Sequence, residues 1–431
     1  MANKKKKKFN KSVPIIVVLS ALIVAGFLLL FTNPSFWFKK SNHDDAKSYS
    51  TKHCLVFYPN CSIGKRYAKQ ICKDNKDDKI FDYSLVPYGD YYLVNYSNGV
   101  KYFVDKEYKD IKVGELTKQG HRIVADYLRY TIKKNNPEKY YNSKFLEETH
   151  IDNLDFTDVT YEVDGESLKC HFPTYELDVE VPLKYIQSEM GMNFGYPSEM
   201  YRKPTYIDPN HTIVCLTFDD GPQFGYVPEE SSSKAIVDTL YKYDATGTFY
   251  VVGYELLSED AWTDYEKDSF IKETIHNGNE YGSHTYGHED LPSLSSSDEI
   301  VRAIQEPADI LNEIVDYKML TYRPPGGEFN DNVLNVQPMP AILWNIDSQD
   351  WLLEDPEKIY EGVMKYDFDS GDVIIFHDIY DTTAEAIEKI VPELIDKGYQ
   401  LITVSDMLEY EGINLNNLHY YYNLNPSPYY E

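Results

Sequence analysis

The segment Thr217-Phe218-Asp219-Asp220-Gly221-Pro222 decides the fold of the second half of the chain. It ends an apolar run that begins at Ile213, and such a run predicts a buried strand. Asp, Gly and Pro favour turns, so we expect the strand to end at the Asp pair. In folds with parallel strands, functional groups gather at the carboxyl ends of the strands. The Asp pair is therefore a candidate site, although Asp-Asp-Gly is also a common turn sequence.

Helix and strand patterns alternate from about Asp208 onward. Further strands are predicted at Gly247–Val252, Glu280–His284, Ala341–Ile346, Asp372–Phe376 and Leu401–Val404. Helices are predicted at Ser231–Tyr243, Tyr265–Asn277, Ser296–Val315 and Thr382–Asp396, with Ser296 and Glu299 as a capping-box pair. Strands that alternate with helices indicate parallel βα units, and therefore an α/β barrel or a doubly wound sheet.

Polar motifs follow the later strands or lie between them. They are Ser283-His284-Thr285-Tyr286-Gly287-His288, Tyr322-Arg323-Pro324-Pro325-Gly326-Gly327, Asp347-Ser348-Gln349-Asp350-Trp351 and Phe376-His377-Asp378. On a helical turn, the spacing of His284 and His288 puts both imidazoles on one side. Two His residues and one carboxylate leave open positions on a divalent ion, which is typical of catalytic metal sites. The alternative is a pair of solvated His residues in a loop.

The other motif residues each have an ordinary explanation beside the functional one. On an extended chain Asp219 and Asp220 point opposite ways, so one can bind metal while the other faces a water. Arg323 is either a surface cation or the bidentate partner of a carboxylate, with its direction fixed by the Pro pair. The plain alternatives are a cap or turn residue for Asp350, a core residue for Trp351 and a helix start for His377 and Asp378.

Together these segments resemble the polysaccharide deacetylase (NodB homology) family, whose motifs they match in order and at suitable spacing. The resemblance covers about Pro209 to Glu411, just under half of the chain, and predicts a deacetylase domain at residues 209–411. It implies a distorted (β/α) barrel with the site at one face. Membrane-anchored peptidoglycan N-acetylglucosamine deacetylases are the most similar members, and they also carry an accessory region ahead of the catalytic domain.

The resemblance implies a role for each motif residue. Asp219 is the general base, with Arg323 to orient it. The metal ligands are Asp220, His284 and His288. His377 is the general acid, and Asp350 orients it and tunes its pKa. The substrate pocket is lined by Trp351, Ile375, Pro324 and Gly326, of which Trp351 and Ile375 wall the space for the acetyl methyl.

One position departs from the family pattern. The family often has Tyr after the Pro pair, where the backbone N–H helps to stabilise the oxyanion, and this chain has Gly326. The N–H is kept, but the side chain that shapes the sugar site is lost. The ligand set of two imidazoles and a carboxylate favours Zn, while Co, Mn, Ni or Fe also suit such a set.

The amino terminus predicts a membrane anchor. The basic residues 1–12 precede an uncharged apolar run at residues 13–31, long enough to span a bilayer. Phe36, Trp37 and Phe38 then suit the membrane interface, and the Lys cluster predicts a cytoplasmic amino terminus with an extracellular catalytic domain. A cleaved signal peptide is the alternative, but the run is long and no small-residue cleavage site follows it.

The remaining regions carry no recognisable chemistry. Residues 41–110 suit a stalk or small accessory domain, residues 111–205 an α+β accessory domain with a helix at Thr117–Lys133, and residues 412–431 a poorly ordered tail. In an exported protein one disulfide is possible among Cys54, Cys61 and Cys72, but the pairing stays open. The net charge of −28 excludes a nucleic-acid footprint, and no protein partner follows from the sequence.

The function predicted from these observations is metal-dependent removal of N-acetyl groups from N-acetylglucosamine in cell-wall glycan, with release of acetate. Three alternatives stay open at this point. They are an O-deacetylase such as an acetylxylan esterase, a deacetylase of another N-acetylglucosamine polymer, and an inactive wall-binding protein. The last is the weakest, because no polar residue of the motifs is missing.

Overall fold

The computed structural model describes residues 47–50, 54–58, 79–96, 101–104, 113–197, 199–225, 230–257, 262–413 and 419–424, with a few isolated positions between them. The predicted anchor at residues 13–31 and the Cys residues at positions 61 and 72 lie outside this part of the chain. Within it, every helix is too short or too polar to cross a membrane.

The described residues fall into two compact units. The first combines the residues up to Glu115 with residues 161–169 and 182–197, and the second holds the others. The first unit contains a five-stranded sheet in chain order. Its strands are β1 (Lys47–Ser50), β2 (Cys54–Tyr58), β3 (Lys79–Tyr88), β4 (Tyr91–Tyr96) and β5 (Lys101–Val104). The pairing is antiparallel except between β2 and β3.

Residues 116–186 form the helices and short strands expected of an α+β region. Thr117 caps the first helix, Lys118–Asn135, through a hydrogen bond from the Gly120 N–H. The other helices are Pro137–Tyr140, Ser143–Glu148 and Leu183–Ile186. The strands are β6 (Thr160–Asp164), β7 (Ser167–Phe172) and β8 (Leu177–Pro182). The helix Lys118–Asn135 belongs to the same compact unit as residues 198–431.

A parallel sheet organises the second unit around its central strand, β9 (Ile213–Asp219). β10 (Gly247–Val251) and β11 (Glu280–Ser283) extend the sheet on one side. On the other side β14 (Asp372–His377) pairs with β9 from Val214 to Asp219, while β15 (Gln400–Leu401) pairs with the start of β9 on the side of β10. All seven residues of β9 are buried, as expected for a parallel strand that is covered on both faces.

Residues 341–347 bring the two edges of this sheet together. Tyr322 forms parallel bridges with Ser283, at the end of β11, and with Ala341. Ala341 begins β12 (Ala341–Ile342), and the next strand, β13 (Ile346–Asp347), pairs in parallel with β14. The chain therefore leads from β11 through Tyr322 to β12, on to β13, and back through β14 to β9. The strands form a distorted barrel in this way. The α/β prediction is confirmed in this barrel-like form.

Helices connect the barrel strands, and polar side chains begin several of them. They are Ser232–Lys242, Gly253–Leu256, Asp264–His276, Ser297–Val315, Asp331–Val336, Asp350–Leu353, Pro356–Met364, Asp381–Asp396 and Val404–Tyr410. Thr263 and Glu266 form a complete capping box. The predicted box of Ser296 and Glu299 forms only in part, because the Glu299 carboxylate bonds to Ser295.

The structure differs from the predicted elements near the end of the chain. The single strand expected at Ala341–Ile346 is two short strands, because its start pairs with Tyr322 and its end with β14. The strand expected at Leu401–Val404 ends at Leu401, since Thr403 caps a helix there. Within the tail predicted to be poorly ordered, β16 (Tyr420–Tyr421) pairs with β12 and Leu424 is buried.

Candidate metal and catalytic site

The predicted site residues converge at the carboxyl end of the barrel. Asp219 ends β9, Asp220 follows it directly, and His284 follows β11. His377 ends β14, and Arg323 lies next to the bridging residue Tyr322. Parallel strands end at the same face of the sheet, so side chains from distant parts of the sequence meet there. The structure brings together the polar residues that the motifs singled out.

Asp220, His284 and His288 form a cluster that suits a divalent metal ion. One ligand atom from each residue lies within 4.8 Å of the others. Asp220 Oδ1 is 3.4 Å from His284 Nε2 and 3.3 Å from His288 Nε2. Three such nitrogen and oxygen ligands on one side leave the other coordination positions open for water and substrate.

A hydrogen bond behind the cluster orients His284. Its Nδ1 lies 2.8 Å from the carbonyl oxygen of Arg323, which can only accept. Nδ1 therefore carries a proton, and Nε2 is the ring nitrogen that faces the carboxylates. Metal-binding His residues are typically held in this way, so the tautomer fits an ion at the cluster. His284 is buried and the His288 side chain is half exposed, which leaves one side of the cluster accessible.

The local backbone differs from the two geometries that the sequence suggested. Asp220 is not extended but has a φ of 77°, and this turn keeps both Asp carboxylates within 4 Å of His284 Nε2. The segment from His284 to His288 is a loop and not a helical turn, with positive φ values at Thr285 and His288. The imidazoles still converge, with ring centroids 5.1 Å apart.

Arg323 is a completely buried cation that holds Asp219. Its Nη1 donates to Asp219 Oδ1 and to Thr217 Oγ1, both at 2.8 Å. Its Nε and Nη2 donate to the carbonyl oxygens of Ile342 and Leu343. The guanidinium is thus fixed by the strand that closes the barrel, and it fixes the Asp219 carboxylate in turn. The interpretation of Arg323 as a surface cation is wrong.

The partly buried His377 and the buried Asp350 form a second pair at the same face. His377 Nδ1 lies 2.8 Å from Asp350 Oδ1, and Asp350 Oδ2 accepts from the His377 N–H and the Thr383 hydroxyl. Burial lowers the pKa of His377, but the hydrogen bond and charge of Asp350, followed by the charges of Asp219 and Asp220, raise it to about 9. The geometry therefore favours a protonated imidazole with Nε2 free to donate.

Burial and charge act in opposite directions on Asp220. Burial raises the pKa of its carboxyl, but the hydrogen bond and charge of His284 and the charges of His377 and His288 bring it below the ordinary value. An ionised carboxylate is the form that binds a cation. This direction agrees with the metal-ligand interpretation of the cluster.

The predicted pocket residues surround the site less directly. Trp351 is half exposed, so the core-residue alternative is wrong. Ile375 is buried in β14, two residues before His377, and therefore faces the same side of the sheet. Pro324 precedes a tight turn at Pro325–Gly327, where Gly326 has a φ of 63°. That Trp351 and Ile375 line the space for the acetyl methyl, and that the Gly326 N–H stabilises the oxyanion, stay predictions.

Asp378 and the serines at positions 232 and 233 are site-adjacent residues that the motifs did not assign. Asp378 is buried and accepts a hydrogen bond from the Gly221 N–H, directly after Asp220. Burial raises the pKa of its carboxyl to about 7. Both serine hydroxyls bond to Asp378. The signals in the sequence were the place of Asp378 in the motif Phe376-His377-Asp378 and the run of three serines after the Asp-Asp-Gly-Pro turn.

Comparisons with known proteins find polysaccharide and peptidoglycan deacetylases. A family model described as polysaccharide deacetylase matches residues 207–338. The chain is 35% identical to the peptidoglycan-N-acetylmuramic acid deacetylase PdaC of Bacillus subtilis, over 48% of this chain and 41% of that protein. It is 32% identical to a peptidoglycan-N-acetylglucosamine deacetylase of Bacillus cereus, over 48% of this chain and 92% of that protein.

The family model lies within the barrel, and the matches to relatives cover about half of the chain. The chain matches less than half of the length of the Bacillus subtilis relative, and almost the whole of the Bacillus cereus one. Among solved structures, PdaC from Bacillus subtilis is similar at 34% identity with a TM-score of 0.43. That match covers 48% of this chain and 94% of the solved chain.

Proposed function

Because the chain belongs to the polysaccharide deacetylase family, we propose that it is a metal-dependent hydrolase of cell-wall peptidoglycan. It removes the N-acetyl group of N-acetylglucosamine residues and releases acetate. The observation that carries this proposal is the meeting of three metal-ligand groups, a carboxylate held by Arg323 and an imidazole held by Asp350 at one barrel face. Hydrolysis of an unactivated amide needs a base, an acid and stabilisation of an oxyanion, and these groups are suited to those tasks.

Asp220, His284 and His288 are the residues that hold the ion. A divalent ion held there would supply a Lewis acid for the acetamide carbonyl and would make a water at the site more acidic. Zn is our first choice, because two imidazoles and one carboxylate are typical of catalytic Zn sites. Co, Mn, Ni and Fe remain possible ions for the same ligands.

Asp219 accepts the proton of the attacking water. Its Oδ1 is held by Arg323, while its Oδ2 lies on the side of the metal cluster, 3.7 Å from His284 Nε2. The held carboxylate cannot turn away from the water, so the base is positioned before substrate arrives. Arg323 acts through Asp219 and is itself shielded from substrate by complete burial.

His377 supplies the proton that the leaving amine nitrogen needs when the C–N bond breaks. Asp350 holds Nδ1, so Nε2 is the nitrogen that donates. The raised pKa keeps the imidazole protonated at neutral pH. The Gly326 N–H is the proposed donor to the oxyanion, and Trp351, Ile375 and Pro324 form the proposed pocket for the acetyl group and sugar.

The substrate assignment is tested with peptidoglycan from the host cell wall. Purified full-length protein is incubated with it, a muramidase releases the muropeptides, and mass spectrometry locates each free amine. We expect free amines on glucosamine, absent when a chelator is added. Free amines on muramic acid alone would show that the protein acts on N-acetylmuramic acid instead. The Bacillus subtilis relative is named as a deacetylase of that sugar.

Two further substrates separate the remaining alternatives. Acetylxylan tests for an O-deacetylase, and chitin oligomers test for action on another N-acetylglucosamine polymer. Release of acetate from either one, with unchanged peptidoglycan, would replace the cell-wall proposal. Loss of activity in Asp219→Asn, with full activity in the remote variant Asp372→Asn, would assign the acetate release to this site.

We also propose that the protein is anchored in the cell membrane with its barrel outside the cell. The support is the sequence of residues 1–40, with eight Lys and no acidic residue around the apolar run. Cell fractionation followed by sequencing of the mature amino terminus tests this. A soluble form that begins near residue 35 would contradict the anchor and indicate a cleaved signal peptide.

A further inference from the structure

The proposed metal ligand Asp220 has a backbone conformation that is uncommon for L-residues. Its φ of 77° lies in the left-handed region, which L-residues other than Asn and Asp rarely adopt. Such a conformation persists only where the surrounding structure holds it. The hydrogen bonds around residues 219–223 show which groups do so.

Asp378 contacts this turn on both sides of Asp220. Its backbone N–H donates to the Asp219 carbonyl oxygen at 3.2 Å. Its Oδ1 accepts from the Gly221 N–H at 3.0 Å. The residue before Asp220 and the residue after it are thus both bonded to Asp378, whose side chain is buried. The strand end that carries His377 therefore also fixes the turn that carries Asp220.

The contact between Asp378 and Gly221 is too close for any other residue at position 221. A Cβ atom added to Gly221 would lie 2.2 Å from Asp378 Oδ2 and 2.4 Å from Asp378 Oδ1. Since the carboxylate is buried, it has little room to move away. The Gly of the Asp-Asp-Gly-Pro turn is thus explained by the approach of Asp378 and not by its own φ.

The start of the helix Ser232–Lys242 completes the arrangement. Ser233 Oγ donates to Asp378 Oδ2 at 2.5 Å and accepts from the Gln223 N–H at 2.7 Å. Ser232 Oγ donates to the Asp378 carbonyl oxygen at 2.6 Å. Ser233 therefore joins Asp378 to the far end of the turn, at Gln223.

We propose that Asp378 is a positioning residue that sets Asp220 for metal binding, acting through Gly221 and, with Ser233, through Gln223. Its carboxylate hydrogen-bonds to the Gly221 N–H and the Ser233 hydroxyl, which are not among the proposed ion ligands. The inference rests on the proposed function, since it requires that Asp220 binds a metal ion. It predicts that a residue outside the ligand set controls the affinity for the ion.

The test measures Zn²⁺ affinity directly, by isothermal titration of the chelator-stripped full-length protein. In Asp378→Ala the turn loses its central acceptor, and we expect affinity to fall at least about 10-fold, as for other residues behind metal ligands. Asp378→Asn keeps an oxygen that accepts from Gly221, so its affinity should stay within about threefold of wild type. This partial rescue separates positioning from general damage.

Asp372 supplies the matched control. It lies at the other end of the same strand, β14, is also buried, and accepts from the Asp369 N–H and the Asn345 amide. Asp372→Ala should lower the thermal midpoint about as much as Asp378→Ala, with Zn²⁺ affinity unchanged. Equal Zn²⁺ affinity in folded Asp378→Ala and wild type would overturn the proposal, and so would equal loss of affinity in both Ala variants.

A milder variant covers the case in which Asp378→Ala does not fold. Ser233→Ala removes one anchor of the turn, and we expect its Zn²⁺ affinity to fall about threefold or more. Thr274→Val, which removes a buried hydroxyl on the distant helix Asp264–His276, should leave the affinity unchanged. Wild-type affinity in Ser233→Ala would overturn the proposal. Wild-type protein that binds no Zn²⁺ would instead overturn the proposed function.

Discussion

The barrel has buried charges at both ends, but the two ends use them differently. At the carboxyl end, Asp220, His284 and His288 converge with their ligand atoms facing one another. At the amino end, ahead of β9, β10 and β11, the charges are divided into pairs. Lys203 Nζ lies 2.7 Å from Asp244 Oδ1, and Asp126 accepts from the hydroxyls of Tyr201 and Tyr241.

The amino-end network holds the helix Lys118–Asn135 against the barrel. Arg129 on that helix donates to the carbonyl oxygens of Leu146, Tyr241 and Lys242. Arg122 forms an ion pair with Glu273. At the amino end these donors each have an acceptor. At the carboxyl end three metal-ligand groups lie together, and the half-exposed His288 makes the cluster accessible. Burial of charge alone therefore does not identify a functional site, and the convergence of ligands does.

The largest expected effect is on catalysis at the carboxyl end. Asp219→Asn removes the base but keeps its shape and its bond to Arg323, so we expect the turnover number to fall about 10³-fold. The Zn²⁺ affinity should change little, whereas the thermal midpoint should fall because the buried Arg323 loses its carboxylate partner. Acetate release from peptidoglycan measures the turnover number, and calorimetry measures the thermal midpoint and the Zn²⁺ affinity. Wild-type turnover would remove Asp219 from the mechanism.

The amino end should respond in stability and not in turnover. Lys203→Met leaves the buried Asp244 carboxylate without its cation, and we expect the free energy of unfolding to fall by about 3 kcal/mol. Adding Asp244→Asn should restore much of that loss, because no buried charge is then left unpaired. Urea denaturation at pH 7 measures both. A comparable fall in turnover per folded molecule would contradict the division between the two ends.

The dependence on pH tests the pair of His377 and Asp350. The value of kcat/KM should fall as pH rises through the pKa of His377, because the imidazole then loses the proton that it donates. That pKa is about 9 in the ion-free protein, and a bound cation lowers it. Asp350→Asn should move the fall to lower pH by about one unit. A pH profile that Asp350→Asn leaves unchanged would contradict the role of His377 as the acid.

The same pair makes a prediction about stability. Because the pKa of His377 is raised in the folded state, its contribution is fully present below the unfolded value of 6.5 and is lost as pH rises through about 9. Asp350→Asn in the metal-free protein should therefore destabilise the fold more at pH 6 than at pH 10. Chemical denaturation at the two pH values measures the difference.

The smallest expected effect concerns Lys133, a buried cation at the amino end. Burial lowers its pKa to about 8, and its Nζ lies 4.9 Å from the centre of the Tyr140 ring. Lys133→Met removes the cost of burying that charge, so we expect stability at pH 7 to rise by about 1 kcal/mol. The gain should shrink above pH 8, where the lysine is neutral. A loss of stability in Lys133→Met would contradict this and show that the buried Lys133 charge stabilises the fold.

The sequence predicted the site better than the connections that support it. Asp219, His284 and His377 could be found because each stands in a polar motif at the end of an apolar strand. The hydrogen bond between Asp378 and Gly221 joins residues 157 positions apart, and local patterns carry no information about such pairs. The turn after β9 was predicted, but the positive φ of Asp220 was not, because distant groups impose it.

The fold shows the same limit. Long, regular elements such as β9 and the helix Ser297–Val315 follow their hydrophobic patterns within one or two residues. The short strands β12 and β13 do not, because their boundaries depend on which partner each contacts. The helix Lys118–Asn135 was predicted correctly, but its place in the compact unit of the barrel depends on buried polar bonds that sequence periodicity does not encode.

The central claim is that the carboxyl-end cluster works through a bound metal ion. It is tested most directly by stripping the full-length protein with a chelator, removing the chelator, and measuring acetate release from peptidoglycan before and after Zn²⁺ is added back. We predict negligible release from the stripped protein, recovery with Zn²⁺, and no recovery in Asp220→Ala. Full activity of the stripped protein, or normal turnover by Asp220→Ala, would contradict the account.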